Sequence, residues 1–467
     1  MCRRGGAIAC LVGLLMLLPT AAAEGNPAGE KLFGIHEPNS WLRQDSTGPT
    51  PSQITSLLGG LHAEAQRWVV RWEVAESNPP GSSGHTYNWG SYKDIYDYDL
   101  AAGIRPLIVI KDAPHWAWAP GVPMAASRVP PGPAHLDDWA AFAAAVARRF
   151  PAAVGIEIWN EPNLTEFWGR GWVDPNPGYY TQLLQSAYPA IKAQAPGMMV
   201  IGGATSRTAP ESSGANITTY DFTRRVFELG GRSYMDAVST HPAPSAGQPL
   251  GWRLFQPGID YVRSAERDAG VSVPIWLTEV GATTTPGKEV QVSEQQQADV
   301  LVDFFFWVQT QPDIQAFFIH TLTEPDQNVN GSGMGFALLH GTRQTGFVPK
   351  PAYWALAWAA SQGPLQPLRL KLRYRRRQPA ERGRVVVLAR CSRRSSITAQ
   401  PTGKRRGIRS MRDPATRDCS DSHWMRLTFP FKGSRKAGGR RIRISLSAED
   451  HYETRATAVA KLRLVRR

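Results

Sequence analysis

Cysteine is nearly absent. The 467 residues hold four, and two of these, Cys2 and Cys10, fall within the first ten positions. A disulfide-dense scaffold is therefore excluded. A zinc site is disfavoured as well, because His423 is the only imidazole near Cys391 and Cys419 in sequence and zinc takes four protein ligands, or three and a water. In an oxidising compartment the pair Cys391 and Cys419 forms one disulfide. An apolar run long enough to span a bilayer is also missing: Ala7 to Leu18 falls short of the roughly 20 residues a spanning helix needs. Preceded by Arg3-Arg4 and followed by Ala21-Ala22-Ala23 ahead of Glu24, that run has the build of a secretory signal cut after Ala23, which leaves no transmembrane segment. No strand-like run leads into a glycine-rich phosphate turn, no metal-ligand cluster stands out, and no cofactor is called for.

Acidic residues are scarce in one region only. From 365 to 467 there are 29 Lys and Arg against 7 Asp and Glu, which leaves 24 against 32 for everything before, although the whole chain sums to +14. This asymmetry sets a boundary at 364/365 and gives the two parts different partners. The basic region is suited to an anionic cell-wall or extracellular polymer, or its charges form a solvated face and nothing more. No nucleic-acid motif accompanies the charges, so specific nucleic-acid readout is not implied.

What the chain does have, from 24 to 364, is alternation of short apolar runs with longer amphipathic ones. Strands are predicted at Lys31 to His36, Arg67 to Trp72, Arg105 to Ile110, Val154 to Trp159, Met198 to Gly202, Asp236 to Thr240, Pro274 to Thr278 and Ile314 to His320. Helices are predicted between them, the first near Ile54 to Ala65 and the last at Ala352 to Ala360. Parallel neighbours need crossover connections, and eight consecutive strand-helix units close a (β/α)8 barrel. A doubly wound open sheet is the competing architecture, against which the missing phosphate turn counts. After Gly363-Pro364, basic residues alternate with Val, Ile and Leu in runs such as Val385 to Ala389, Met425 to Phe429, Arg441 to Leu446 and Ala456 to Leu464. Period-two alternation of this kind predicts a small antiparallel β domain from 365 to 467.

Two stretches carry chemistry. Gly155-Ile156-Glu157-Ile158-Trp159-Asn160-Glu161-Pro162-Asn163 ends an apolar strand in a carboxylate, and Pro274-Ile275-Trp276-Leu277-Thr278-Glu279 repeats the plan. Side chains at the carboxyl ends of barrel strands point into the active cleft, and two opposed carboxylates are the equipment of a glycosidase. Glu161, with Trp159 nearby, suits a proton donor whose pKa is raised. Glu279 suits a nucleophile kept ionised by Thr278 and by Arg71 at the second strand end, and Asn160 can hold a sugar hydroxyl.

Trp159-Asn160-Glu161-Pro162-Asn163 together with Trp276-Leu277-Thr278-Glu279 resembles glycoside hydrolase clan A, most closely family 39 and its relatives that cut bacterial exopolysaccharide. Val70-Arg71-Trp72, Tyr87-Asn88-Trp89, Ala113-Pro114-His115-Trp116-Ala117, Ser239-Thr240-His241-Pro242 and Lys350-Pro351-Ala352-Tyr353 add to the resemblance, which spans Phe33 to Ala360. It implies a retaining enzyme; joined to the secretory signal, this gives the expectation of a secreted glycosidase acting on a polysaccharide or oligosaccharide. Glu161 would be the acid/base, Glu279 the nucleophile, and Asn160 would bind the 2-hydroxyl of the sugar. His241 would sit near the nucleophile, Arg71 would keep it charged, and Trp116, His36 and His320 would line the substrate site. Many clan members end the eighth strand with a Trp; here Phe317-Phe318-Ile319-His320-Thr321 ends it with His320. Trp118, Trp168 and Trp172, in loops with Trp116, offer faces for sugar stacking or for packing. A transglycosidase and a catalytically silent carbohydrate-binding protein are the alternative functions.

Overall fold

A computed structural model describes residues 31–37, 48–207, 215–287, 290–324, 335–379, 384–402, 408–411, 417–420, 424–433 and 441–465. The signal segment assigned to residues 1–23 lies outside them. Eight strands close into a barrel in sequence order: β1 Leu32–His36, β2 Ala65–Arg71, β3 Arg105–Lys111, β4 Gly155–Ile158, β5 Met199–Ser206, β6 Ala237–His241, β7 Ile275–Val280 and β8 Ile314–His320. The helices α1 Pro51–Gly60, α2 Gly90–Ala101, α3 Leu136–Arg149, α4 Pro177–Gln194, α5 Thr219–Glu228, α6 Gln256–Ala269, α7 Glu294–Val308 and α8 Pro351–Ser361 follow them one by one. The (β/α)8 expectation holds. Each strand is covered on both faces, so its sequence reads as a nearly unbroken apolar run; Leu107 to Ile110 of β3 are fully buried.

Local chemistry sets the helix ends. Thr50 and Gln53 form a capping box on α1, and Ser293 and Gln296 form another on α7. Asn176 caps α4, with Pro177 in its first turn. The first helix stops at Gly60, earlier than the sequence pattern indicates. His62 takes a left-handed φ of 54° and Ala63 N–H turns back to Leu58 O, a hydrogen-bonded stop that frees Ala65 to open β2.

Two compact units are distinguished along the chain. One comprises Ala65–Ser239 with Ala265–Val273 and so contains β2 to β5. Its register is continuous, Val69 lying beside Val109, Ile108 beside Ile156 and Glu157 beside Ile201. Trp72 stacks on Phe142 with ring centroids 5.4 Å apart, and Trp159 meets Trp168 edge to face at 5.2 Å. The other unit comprises Phe33–Glu64, Thr240–Ser264 and Pro274–Arg467; β1, β6 and α6 are divided between the two.

This second unit holds β7, β8 and the C-terminal strands. Two short strands, β9 Leu339–His340 and β10 Val348–Pro349, precede the latter, which are β11 Leu370–Arg373, β12 Arg377–Pro379, β13 Arg384–Cys391, β14 Ser395–Thr402, β15 Ile408–Met411, β16 Arg417–Cys419, β17 Met425–Gly433, β18 Arg441–Asp450 and β19 Arg455–Val465. They form a four-stranded sheet in the order β11-β13-β17-β15 and a five-stranded sheet in the order β12-β19-β18-β14-β16. Antiparallel pairing prevails, with β12 running parallel to β19. Alternation buries Val385, Val387, Ala389, Ile442, Ile444, Leu462 and Leu464 in one core, and Cys391 and Cys419 are joined in a disulfide. The turn after β18 lies against α7: His451 Nε2 is 2.8 Å from Asp303 Oδ1, and Tyr452 lies beside Phe306.

Candidate functional site

The motif after β4 leaves regular strand geometry. Trp159 and Glu161 have φ of 72° and 48°, left-handed values that cost a side-chain-bearing residue about 1–3 kcal/mol and concentrate at functional sites. The surroundings impose them. Trp159 N–H donates to Ile110 O, its indole N–H donates to Phe167 O at 2.8 Å, and Glu161 N–H donates to Ala204 O at 2.9 Å. Asn163 side-chain N–H donates to Ser206 O and Ile217 O, fixing the loop beyond. Glu161 is partly exposed whereas Asn160 is buried. Next to the motif, β5 is itself kinked: Gly203 has φ 104°, and a Cβ there would stand 2.5 Å from Ser239 O.

Below the motif lies a polar network that the sequence reading did not identify. Arg67 Nε donates to Glu157 Oε2 at 2.7 Å and its Nη2 donates to Asn160 Oδ1 at 2.8 Å, while Ser239 Oγ donates to Glu157 Oε1 at 2.6 Å. Arg67 and Glu157 are fully buried. The fixed guanidinium fork thus holds the Asn160 amide through its oxygen. A signal was present in the sequence, since Arg67 and Glu157 are opposite charges within two largely apolar strand runs.

Arg71, two pleats further along β2, was expected to keep the nucleophile charged. Its observed charge partners are Glu73, which its Nη2 contacts, and Asp112, whose Oδ2 lies 3.2 Å from its Nε. Lys111 Nζ also reaches Asp112 Oδ2, at 2.6 Å. Burial pushes the Lys111 ammonium below its ordinary pKa and the Glu73 carboxyl above its own, with Arg71 opposing the Glu73 shift. Arg67 therefore supplies the contact to the motif strand, and Arg71 closes a rim network at the ends of β2 and β3. Trp116 is half-buried edge to face with Trp72, its N–H on Glu76 O. Trp168 is 1% exposed and packs on Trp159, which removes it from the stacking candidates, whereas Trp172 is 58% exposed.

In the second unit, Glu279 near the end of β7 lies among three imidazoles. Its Oε1 is 3.3 Å from His36 Nδ1 and 3.8 Å from His241 Nε2, and its Oε2 is 3.5 Å from His320 Nδ1. His36 and His320 stack with ring centroids 4.9 Å apart and share a hydrogen bond between Nδ1 atoms at 2.9 Å; only one of the two can donate it. His241 Nε2 shares a 3.1 Å hydrogen bond with Thr278 Oγ1. Thr321 Oγ1 donates to His36 O at 2.7 Å, tying the ends of β1 and β8 together. His36, His241 and Glu279 are 6%, 5% and 15% exposed at their side chains, so the carboxylate is shielded and still reachable. His36, Glu279 and His320 are also donors of a type that can hold a divalent cation.

No protein-family profile and no curated protein matches the chain. Solved structures do share its fold. A family 39 glycoside hydrolase from Bacteroides cellulosilyticus WH2 is 18% identical with a TM-score of 0.54, over 87% of this chain and 81% of that one. A family 39 β-xylosidase from Caulobacter crescentus is 20% identical with a TM-score of 0.54, over 83% and 85%. A hyperthermophilic β-glucosidase from Pyrococcus furiosus is 15% identical with a TM-score of 0.50, over 73% and 96%. Identities of this size speak for the architecture alone.

Proposed function

We propose that the chain is a secreted retaining glycoside hydrolase of clan A, similar to family 39, acting on a polysaccharide or oligosaccharide. One observation carries the reading: Glu161 and Glu279 both stand at the carboxyl ends of strands, the fourth and the seventh, of one closed parallel barrel, where barrel enzymes keep their chemistry. The structures named above that share this fold are glycosidases, which supports it.

Glu279, steadied as a carboxylate by the surrounding imidazole nitrogens, attacks the anomeric carbon. The bond from that carbon to the leaving oxygen breaks as Glu161 gives that oxygen a proton. Glu161, now ionised, takes a proton from water, whose oxygen displaces Glu279 from the sugar with retention of configuration. Asn160, held by Arg67 through its oxygen, presents its N–H groups to a sugar hydroxyl. Retention requires carboxylates about 5–5.5 Å apart, whereas roughly 6.5–9.5 Å would mean inversion. The basic C-terminal strands retain the enzyme on an anionic polymer.

The test is a panel of aryl glycosides and bacterial exopolysaccharides hydrolysed by wild type, Glu279→Ala and Glu161→Ala. Glu279→Ala should lose at least about a thousand-fold in kcat. Glu161→Ala should lose about 100- to 10,000-fold with poor leaving groups and far less with activated ones. Unimpaired turnover by Glu279→Ala sinks the assignment.

A further inference from the structure

The outward face of the five-stranded C-terminal sheet gathers charge of one sign. In register, Arg377 of β12 lies beside Arg463 of β19, which lies opposite Arg441 of β18; two residues along, Lys461 of β19 lies opposite Arg443 of β18. All five are exposed, and the alternate residues Ile442, Ile444, Leu462 and Leu464 point into the core. With strands about 4.8 Å apart and alternate residues about 6.7 Å apart, the five cations fall within roughly 10 by 7 Å.

Among the described residues, two acids of this face lie at its other end, Glu449 paired with Arg455 opposite it and Asp418 with Arg394. Between the two ends runs a lane of hydroxyls: Ser445, Ser447, Thr457 and Thr398, on adjoining strands. The outward positions of β18 and β19 include no aromatic ring.

We propose that this face docks an acidic polysaccharide, with Arg377, Arg441, Arg443, Lys461 and Arg463 taking sugar carboxylates and the hydroxyl lane taking sugar hydroxyls. The guanidinium fork matches a planar carboxylate. Single-stranded nucleic acid is disfavoured because its binding sheets stack bases on aromatic rings. A membrane surface is disfavoured because Val459 and Val465 are the only apolar side chains the two strands present outward. The choice of a polysaccharide over other polyanions rests on the glycosidase reading; the cation ladder does not.

The experiment is co-sedimentation of the full chain with polygalacturonate and with its fully methyl-esterified form. Duplex DNA and phosphatidylserine vesicles serve as competing polyanions at about 0.15 M salt, where exposed charges more than about 8 Å apart are largely screened. Wild type and Glu279→Gln should bind polygalacturonate and release the ester. The double variant R441Q/R463Q should bind at least ten-fold more weakly and still hydrolyse aryl glycosides. The charge-matched R224Q/R225Q on α5 should bind like wild type. Equal losses in both double variants, an unchanged R441Q/R463Q, or DNA or vesicles bound as tightly as polygalacturonate would each overturn the proposal. Failure of the glycosidase reading registers separately, as full turnover by Glu279→Gln.

Discussion

A buried charge is governed by its partner, and Arg67 with Glu157 shows how far that reaches. Both are fully buried, and the same guanidinium anchors Asn160. Arg67→Met should destabilise the fold by about 3–5 kcal/mol, because it strands an uncompensated carboxylate, whereas R67M/E157M should recover much of that loss. Urea unfolding of the single and double variants measures both, and a double variant no better than the single would refute the pairing argument. Asp99 gives a pH-dependent case. Burial holds its carboxyl well above the ordinary range, against a 3.1 Å hydrogen bond from the Trp68 indole. The folded chain thus binds that proton more tightly than the unfolded chain does, and its stability falls as pH climbs from the ordinary carboxylate pKa through the raised one. Asp99→Asn should remove this component. Unfolding at pH 4 and pH 8 should show the variant gaining on wild type at the higher value, and a gap that is constant or reversed contradicts the account. Arg67 sits in an apolar run whose inward parity is evident only once the strand is placed, and Asp99 looks like any acid on an amphipathic helix.

At the scale of elements, the eight strands were legible because each is a short apolar run between helical patterns, and both catalytic candidates were legible because their runs end in glutamate. Ends were harder. The stop of α1 depends on a left-handed His62, a conformation that histidine tolerates better than most side chains but adopts too rarely for sequence alone to mark the stop. The kink of β5 is of the same kind. Gly203→Ala would press a methyl group against Ser239 O at a positive φ, so a loss of about 1–3 kcal/mol is expected. It should also shift Ala204 O, which receives the Glu161 N–H. A lowered kcat accompanying the stability loss supports this linkage, and an unaltered kcat argues against it. Loop aromatics divided by packing, which composition does not encode: Trp168 went inward onto Trp159 while Trp172 stayed exposed.

For the molecule as a whole, the shift in charge near residue 364 and the alternating basic strands were readable, but the pairing order of the C-terminal strands was not. β12 joins β19 and β14 joins β18, partners far apart in sequence that only the folded register brings together. The disulfide between Cys391 and Cys419 spans 28 residues and pins β13 to β16. Removing it as C391S/C419S should cost about 3 kcal/mol by releasing unfolded-chain entropy. Calorimetry with and without reductant checks this, and the double variant should be insensitive to reductant. Little or no change on either count contradicts it.

The rim formed by Arg71, Glu73, Lys111 and Asp112 is two cations interlocked with two anions. With its charges matched one for one, the rim has no net charge to offer. Under the proposed function, it would therefore neither pull in nor push back a ring on electrostatic grounds, and selection would fall to shape and hydrogen bonding deeper in the barrel.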